Sequence, residues 1–335
     1  MKRIGFLSFG HYQAVPGSVA KTAGEALRQM IELTVAAEEI GVDGAYARVH
    51  HFAPQFASPF PLLAAMAART SRIELGTGVI DMRYENPLYM AEEAAITDLI
   101  SGGRLQLGIS RGSPETALRG FEAFGYTEGE NPGDSARQKT EIFREAIAGA
   151  GIAPANPRMT GREGYLAIEP RSPGLEQRIW WGSGTRGTAE WTARQGMNLM
   201  SSTLLTEDTG VPFDELQAEQ IERFRTVWKE SGHTHEPRVS VSRSVIPVTN
   251  DTDNRYFGRE RSSSDQVGHL DGGLARFGRS YVGEPDVIAE ELAADAAVQA
   301  ADTVLITVPN QLGVDYNTHL LESIVKLVAP GAGWR

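Results

Sequence analysis

The sequence contains no cysteine. Disulfide bonds, thiol nucleophiles, thiolate metal sites and iron–sulfur clusters are therefore excluded for this chain. A surplus of basic residues is missing as well, because 32 Lys and Arg stand against 43 Asp and Glu and give a formal net charge of −11. Binding to a polyanion needs clustered Lys and Arg, so we expect no nucleic-acid partner.

Long apolar runs are also missing. After Met1-Lys2-Arg3 comes a short apolar run, Ile4 to Phe9, which is well below the length of the apolar segment of a signal peptide. No stretch approaches the length of a membrane span, so the sequence predicts no membrane partner, and a cytoplasmic location fits. The chain does have the balance of a globular protein that can bury a large core, since 41% of its residues are hydrophobic and 22% are charged.

Short β-rich runs alternate with longer helical patterns along the chain. Proline at a first turn and glycine just past a last turn mark helix boundaries, as in the helix that starts at Pro87 and stops at Gly102-Gly103. The predicted strands are Arg3–Phe9, Gly44–Val49, Arg72–Ile80, Arg104–Ser110, Gln177–Trp181, Met197–Ser201, Arg238–Val248 and Thr303–Val308. The other predicted helices are Gly24–Ile40, Pro61–Arg69, Ser135–Ala148, Thr188–Gln195, Phe213–Ser231, Pro285–Gln299 and Asp315–Val328.

This alternation of eight strands with helices matches a (β/α)8 TIM barrel better than the six strands of a doubly wound sheet. We predict a single α/β domain over residues 1–335, a (β/α)8 barrel with insertions after strands four and seven. The first insertion carries a small predicted hairpin at Gly164–Glu169, and the second is a polar loop at Gly258–Gly283. Because the chemistry of such barrels sits on the loops that leave the C-terminal strand ends, those loops are the candidate site.

Two adjacent histidines end the second predicted strand. Successive strand positions point to opposite faces, so His50 and His51 are unsuited to chelating one metal, and we predict no metal site. We place His50 in the barrel mouth as a proton donor or hydrogen-bond partner, because imidazole titrates near neutrality. The alternative is a histidine that merely packs at the strand end.

The next two strands end in small residues and an arginine. In the segment Gly76–Val79 the missing side chains would let the backbone approach a flat ligand, although glycines that only pack the barrel are the alternative. Strand four leaves the barrel through Ser110-Arg111-Gly112. An arginine there suits a phosphate through charge-assisted hydrogen bonds, or an ion pair with a neighbouring loop.

A glycine-rich turn, Gly182–Thr188, follows strand five and feeds a helix. Its free backbone N–H groups and the positive end of the helix dipole favour an anion, and its hydroxyl and guanidinium side chains add donors. The turn also satisfies G-x-G-x-x-G, with Glu207 about twenty residues beyond, so an NAD site of the Rossmann type is an alternative. Because four strand–helix units precede this turn, whereas a Rossmann fingerprint closes the first, we favour the phosphate of a mononucleotide.

Over nearly its whole length, from Ile4 to about Val328, the sequence resembles the bacterial luciferase α-subunit and the luciferase-like flavin monooxygenases. The blocks that carry the resemblance are Gly41–Gly44 with His50-His51-Phe52, Gly76–Val79, Asn86-Pro87 with Asp98–Arg104, Leu107–Gly112, and Gly182–Met200. The resemblance implies a barrel that binds FMN, with a non-proline cis peptide at Gly78–Val79 under the flavin ring and His50 as the catalytic histidine. It implies that the cofactor is bound by Thr77, Gly78, Val79, Ser110, Arg111, Ser183, Gly184, Thr185, Arg186 and Thr188.

The implied activity is that of a monooxygenase in which reduced FMN and molecular oxygen oxygenate a small organic substrate. A separate flavin reductase or NAD(P)H would supply the electrons, and the family also implies a homodimer. Within the fold, hydride transfer with a deazaflavin is the nearest alternative. A flavin-binding protein without catalysis is a further one.

Several positions depart from the luciferases. Val49 stands where they have glutamate, and Ser110 stands where they have a reactive cysteine. Ser201-Ser202-Thr203 replaces the aromatic residues of the light-emitting pocket, so emission from a long-chain aldehyde is not implied. The polar loop Gly258–Gly283 occupies the place of the family's mobile lid, with a simple surface loop as the alternative.

Overall fold

The computed structural model describes residues 1–112, 116–126, 131–207, 210–258, 263–270 and 273–335. Its main sheet is a closed barrel of eight parallel strands, which confirms the predicted (β/α)8 architecture. Numbered β1 to β8 in chain order, the barrel strands are Arg3–Ser8, Gly44–Ala47, Glu74–Thr77, Leu105–Ser110, Ile179–Ser183, Asn198–Ser201, Val239–Pro247 and Thr303–Thr307. Each strand pairs with its neighbour in sequence, and β8 closes the barrel by pairing with β1 from Arg3–Thr303 to Leu7–Thr307.

Helices cover the outside of the barrel. Numbered α1 to α12, they are Ala23–Ile40, Pro59–Arg69, Pro87–Ser101, Pro132–Ile147, Pro157–Thr160, Arg186–Arg194, Phe213–Glu230, Asp251–Phe257, Pro285–Ala294, Ala296–Ala300, Gly313–Ser323 and Ala329–Gly331. Short 3-10 helices lie at Met82–Tyr84, Gly120–Phe124, Leu175–Arg178 and Asn310–Leu312, and a π-helical turn lies at Ile324–Val328. No helix in the described ranges is both long enough and apolar enough to cross a membrane.

Local sequence explains where the principal helices begin and end. The Thr22 hydroxyl accepts the backbone N–H of Glu25, whose carboxylate accepts the N–H of Thr22, so a capping box starts α1. The Asn86 side-chain oxygen accepts the N–H groups of Leu88 and Tyr89 and so caps α3, which has a proline in its first turn. Gly41 and Gly102 end these two helices with φ of 91° and 70°, in the left-handed region that glycine adopts without strain.

Three expectations about the connections need correction. The third predicted strand is two strands, Glu74–Thr77 and Ile80–Asp81, which pair in turn with β4 on either side of Gly78 and Val79. The small hairpin does not lie within Gly164–Glu169, because Tyr165–Leu166 pairs with the upstream strand Ala153–Pro154. That partner lies among prolines and glycines, whose composition is typical of a loop.

The region Gly258–Gly283 is not a simple loop. Gln266–Leu270 and Gly273–Phe277 form an antiparallel pair, while residues 259–262 and 271–272 of the predicted loop lie outside the described residues. Two long-range strand pairings hold this region in regular structure. Leu204–Leu205 pairs with Gly273–Phe277, and Ser280–Gly283 runs parallel to β7. Backbone hydrogen bonds of this kind leave little trace in a polar sequence.

The interior of the barrel is packed below its C-terminal opening. One buried apolar cluster consists of Leu7, Tyr46, Trp180, Met200 and Leu305. Burial of apolar side chains of this size contributes about 1.5–3 kcal/mol each. This cluster fills the barrel interior below the end where the strands terminate, and the candidate site lies at that end.

Candidate active site

A cavity of about 230 Å³ opens at the C-terminal ends of the barrel strands. All eight barrel strands or the segments that follow them contribute to its wall. The apolar side chains Leu7, Val79, Met200 and Leu305 form a floor, and serine and threonine side chains that follow β4, β5 and β6 form much of the wall. A flat apolar group could therefore rest on the floor while polar substituents reach donors on the wall.

The ends of β3, β4 and β5 meet at two glycines. A Cβ atom on Gly108 would lie 2.2 Å from the carbonyl oxygen of Thr77, and one on Gly182 would lie 3.3 Å from Val79 Cγ2 and 3.5 Å from Ser110 Cβ. Because no side chain fits at Gly108, glycine is needed there for the two strands to approach. The cis peptide predicted between Gly78 and Val79 is confirmed, and both residues line the cavity.

Thr77, predicted at the cofactor, does not line the cavity. Its side chain is fully buried, and its hydroxyl donates a 2.7 Å hydrogen bond to the carbonyl of Gly108. This bond joins β3 to β4 next to Gly78, which does line the cavity. Thr77 therefore supports the wall from behind, and Gly78 and Val79 carry its surface.

The two histidines point in different directions, as the alternation of a strand predicts. His50 lines the cavity, whereas His51 stacks on Tyr84 with ring centroids 4.1 Å apart and meets the edge of Phe124 at 5.2 Å. Burial and then the nearby Arg48 charge lower the pKa of His50 to about 4. The expectation that this imidazole titrates near neutrality is thus wrong. At neutral pH it is uncharged, with one N–H donor and one acceptor nitrogen.

The exits of β4 and β5 supply donors to the same cavity. Ser110, Arg111, Gly184, Thr185 and Thr188 all line it. No carboxylate in the described ranges forms an ion pair with the exposed Arg111 side chain. This side chain lies beside Gly133 at the start of α4, where a Cβ atom built on the glycine would be 3.6 Å from Arg111 Cδ. The Thr185 hydroxyl accepts the Thr188 N–H and caps α6, so the positive end of that helix faces the cavity.

Two other residues of the predicted phosphate turn lie elsewhere. The Ser183 side chain is fully buried, and its hydroxyl donates to the carbonyl of Thr185. Instead of reaching the cavity, the Arg186 guanidinium is bound by Glu207 at 3.1 Å and Glu219 at 3.0 Å. Because Glu207 also accepts the Arg186 backbone N–H, the acid required by the Rossmann alternative is already engaged.

Sequence reasoning missed two charged residues on the cavity wall. Arg48 lines the cavity, and its Cζ atom lies 4.7 Å from the centre of the Phe9 ring. Its position two residues before His50 was an available signal, since alternate strand positions share a face. Asp81 also lines the cavity, and its carboxylate accepts hydrogen bonds from Nε and Nη2 of Arg83.

The wall that follows β6 is polar. Ser201, Ser202 and Thr203 line it, and the Ser201 hydroxyl donates to Gln220 Oε1 at 2.5 Å while it accepts from Gln217 Nε2 at 2.9 Å. Both glutamines lie on α7 and are buried, so this helix fixes the wall from outside. In the described part of the chain, no cluster of three or more His, Asp or Glu side chains is placed to hold a metal ion.

Comparison of the sequence with known families gives one extended match. The model of the luciferase-like monooxygenases matches residues 3–256. The oxygenase component of the flavin-dependent trigonelline monooxygenase of Acinetobacter baylyi is 36% identical over 110 residues, which are 32% of this chain and 30% of that protein. The alkanal monooxygenase alpha chain of the Kryptophanaron alfredi symbiont is 22% identical over 214 residues, 62% of this chain and 56% of its own length. The matches thus span about a third to just over half of these curated relatives.

Three solved structures share the fold over 98% of this chain and 99% of their own length. The monooxygenase RslO1 from Streptomyces bottropensis superposes with a TM-score of 0.71 at 19% identity. The oxygenating constituent of 3,6-diketocamphane monooxygenase from Pseudomonas putida, in complex with FMN, gives 0.67 at 16%. The coenzyme F420-dependent tetrahydromethanopterin reductase from Methanopyrus kandleri gives 0.64 at 15%. At these identities the likeness is one of fold.

Proposed function

The chain belongs to the luciferase-like monooxygenase family, and from this premise we propose that it is an oxygenase that uses reduced FMN and molecular oxygen on a small organic substrate. The observation that carries the proposal is the shared cavity. Arg111 and the start of α6 line it together with His50 and the Gly78–Val79 peptide. Donors for an anion, a flat apolar floor and a histidine are thereby within reach of one bound molecule.

The residues present fit the parts of FMN. The phosphate would be held by the Arg111 guanidinium, by the hydroxyls of Thr185 and Thr188, and by the dipole of α6. The ring would lie on the apolar floor against Val79. Ser110 lies between these two regions, at the end of β4, where a hydroxyl can serve the ribityl chain.

When bound, reduced FMN supplies the two electrons with which one oxygen atom of O2 is transferred to the substrate and the other is reduced to water. The chain supplies position, dryness and hydrogen bonds. As a neutral imidazole, His50 can donate one N–H to an oxygen atom or accept a proton at its other nitrogen, without adding a positive charge. The apolar floor keeps water from the reacting atoms.

The source of electrons is part of the proposal. The Acinetobacter relative is named as an oxygenase component, which supports a separate reductase that delivers reduced flavin at the expense of NAD(P)H. A deazaflavin-dependent hydride transfer is the second candidate, because a coenzyme F420-dependent reductase has the same fold and both cofactors carry a phosphate and a planar ring. The absorption spectrum of the reconstituted protein distinguishes the two cofactors.

We also propose that the protein is a homodimer, and a cytoplasmic location remains a prediction. One face of α3 exposes four large apolar side chains: Tyr89, Ile96, Leu99 and Ile100. Ile96, Leu99 and Ile100 are neighbours at i, i+3 and i+4, and grouped exposed apolar side chains mark surfaces that associate. If two copies pair through this face, Ile96→Glu should shift the mass seen by light scattering from dimer to monomer. A variant that stays dimeric would show that the two copies pair through another surface.

The test of the cofactor is equilibrium binding measured by quenching of FMN fluorescence, with NAD as the competing nucleotide. We expect FMN to bind and NAD not to displace it. Arg111→Ala should weaken FMN binding by about 1.5–3 kcal/mol, roughly ten- to a hundredfold, because a charge-assisted hydrogen bond to the phosphate is lost. Arg186→Ala is the matched control at the same rim and should change affinity far less, since Glu207 and Glu219 bind this guanidinium.

Catalysis is tested separately from binding. Chemically reduced FMN bound to the protein should consume oxygen, and His50→Ala should alter the rate while FMN still binds. FMN binding that remains the same in Arg111→Ala would remove this residue from the site. Oxygen consumption at the rate of free reduced FMN would indicate a flavin-binding protein without catalysis.

A further inference from the structure

Arg48 is a cation on the cavity wall without an acidic partner. Its guanidinium carbon lies 4.7 Å from the centre of the Phe9 ring, and the side chain is partly buried. Across the described ranges, no side-chain hydrogen bond and no ion pair is formed by this guanidinium. Burial lowers the pKa of Arg48, and no carboxylate raises it.

The surroundings of Arg48 do not neutralise its charge. Burial, and after it the positive charge of Arg48, lowers the pKa of His11 and of His50. The Phe9 ring that carries the guanidinium is itself stacked on His11, with centroids 5.6 Å apart. Asp81, an acid that also lines the cavity, has its carboxylate engaged by two nitrogens of Arg83. A partly buried cation with no opposite charge beside it is unfavourable unless a ligand brings that charge.

Other buried arginines of the barrel show the contrast. Arg243 binds Asp295 through two hydrogen bonds of 2.7 and 3.0 Å, and Arg238 binds both oxygens of Glu74 at 2.9 Å. Both of these arginines are paired with a carboxylate, and Arg104 is held by backbone carbonyls and by the Thr70 hydroxyl instead. Arg48 differs in being unpaired and in facing the cavity.

The phosphate of the cofactor does not account for Arg48. Its proposed donors follow β4 and β5, whereas Arg48 follows β2 and rests on Phe9, which follows β1. In the closed barrel these pairs of strands occupy different sectors of the opening. His50, two positions after Arg48, lies on the same face of the chain and lines the same cavity.

We propose that Arg48 binds a carboxylate, or a similar small oxyanion, on the substrate and so holds the substrate beside His50. This inference rests on the proposed function, because the substrate must share the cavity with the flavin. A guanidinium offers two parallel N–H donors that match a carboxylate, and the Phe9 ring contacts this one at 4.7 Å from one side. The substrate class is therefore a small organic anion.

The experiment measures binding to the FMN-loaded protein by equilibrium dialysis. The probes are three matched pairs of acid and neutral amide: acetate with acetamide, benzoate with benzamide, and phenylacetate with phenylacetamide. We expect at least one carboxylate to bind tenfold or more tightly than its amide. Arg48→Leu should remove that preference and leave the Kd of FMN within twofold of the parent value. Arg48→Lys, which keeps the charge but not the paired donors, should retain part of it.

A matched control isolates the cofactor arginine. Arg111→Leu, saturated with FMN, should keep the preference for the carboxylate. The proposal is overturned if the parent protein prefers no carboxylate, or if Arg48→Leu keeps the preference. It is also overturned if Arg48→Leu weakens FMN as much as Arg111→Leu does, because Arg48 would then bind the cofactor.

Failure of the proposed function gives a different pattern. If the parent protein binds no FMN, the flavin assignment fails, and the same dialysis on the flavin-free protein still decides whether Arg48 selects carboxylates. The thermal unfolding midpoint shows whether Arg48→Leu is folded. A midpoint close to that of the parent protein means that it is. A loss of carboxylate binding together with a collapse of that midpoint would overturn the proposal in favour of a structural role.

Discussion

Among the described residues, two arginines at the C-terminal end of the barrel lack the acidic partners that arginines at the N-terminal end have. At the N-terminal end, Glu74 binds Arg238 with both carboxylate oxygens and also binds Arg3 at 2.7 Å. At the C-terminal end, Arg48 and Arg111 line the cavity, and no acid in the described ranges pairs with either. The C-terminal end also has paired arginines, Arg83 with Asp81 and Arg186 with Glu207 and Glu219. The comparison teaches that Arg48 and Arg111 are exceptions at this end, because they line the cavity without an acid from the described residues.

The largest effect on stability should come from the paired end. Glu74→Gln leaves the partly buried Arg238 and Arg3 without their shared carboxylate and should lower the free energy of unfolding by about 2–3 kcal/mol. Urea unfolding followed by circular dichroism measures the change. Arg3→Gln is the control, and because that side chain is 50% exposed its effect should stay below about 1 kcal/mol. Equal losses for both variants would contradict the view that burial decides the contribution.

The unpaired end should respond with the opposite sign. In the ligand-free protein, Arg48→Met removes a cation that has no acidic partner among the described residues. The apolar methionine side chain can still pack on Phe9. We expect the free energy of unfolding to stay the same or to rise by up to about 1 kcal/mol, as is common where a residue serves binding. Loss of the cation–π contact offsets part of the gain, by about 0.5–1 kcal/mol. A fall of more than 1 kcal/mol in the same urea assay would show that Arg48 stabilises the fold.

The repeating pattern of the chain was readable from sequence because it is local. Strand and helix periods, with caps such as Thr22 and Gly41, depend on neighbouring residues only. Topology then placed His50, Val79 and Arg111 at one end of the barrel, where the structure has them. The family resemblance added the cis peptide.

Long-range pairing explains what could not be read. The Arg186 guanidinium is bound by Glu219 from α7, a contact across 33 residues that no local pattern encodes. The strand Gly273–Phe277 likewise depends on Leu204–Leu205 for its partner. The low pKa of His50 arises from burial and from Arg48, so it required coordinates.

A titration can sharpen the comparison through His50. Its pKa of about 4 lies below the usual 6.5, so the unfolded chain binds more protons than the folded one between these values. This group should therefore make the protein less stable as the pH falls from 6.5 to 4, and His50→Asn should reduce that loss. Arg48→Met should raise the pKa of His50, measured by NMR of the ring, because a neighbouring positive charge is gone. The other causes of the low pKa in the parent protein are burial, His51 and His11, while Asp81 acts in the opposite direction.

If the His50 pKa is the same in Arg48→Met as in the parent, the charge of Arg48 is already balanced by a bound anion or by solvent. The comparison between the two ends would then fail for Arg48. Addition of a carboxylate that binds the parent should shift the pKa of His50 upward in the same NMR experiment. Arg48→Met should not show this shift.

The smallest expected effect on stability belongs to Arg111. Its side chain is exposed and forms no ion pair in the parts of the chain that the structure describes, so Arg111→Ala should change the free energy of unfolding by less than about 0.5 kcal/mol. The same substitution should weaken FMN binding, whereas Glu74→Gln should lower stability and leave the affinity of the folded protein for FMN unchanged. These opposite responses, measured by urea unfolding and fluorescence quenching on the same two variants, separate a cation that serves a ligand from one that serves the fold. A loss of more than 1 kcal/mol in Arg111→Ala would mean that the unpaired cations at the C-terminal end also stabilise the fold.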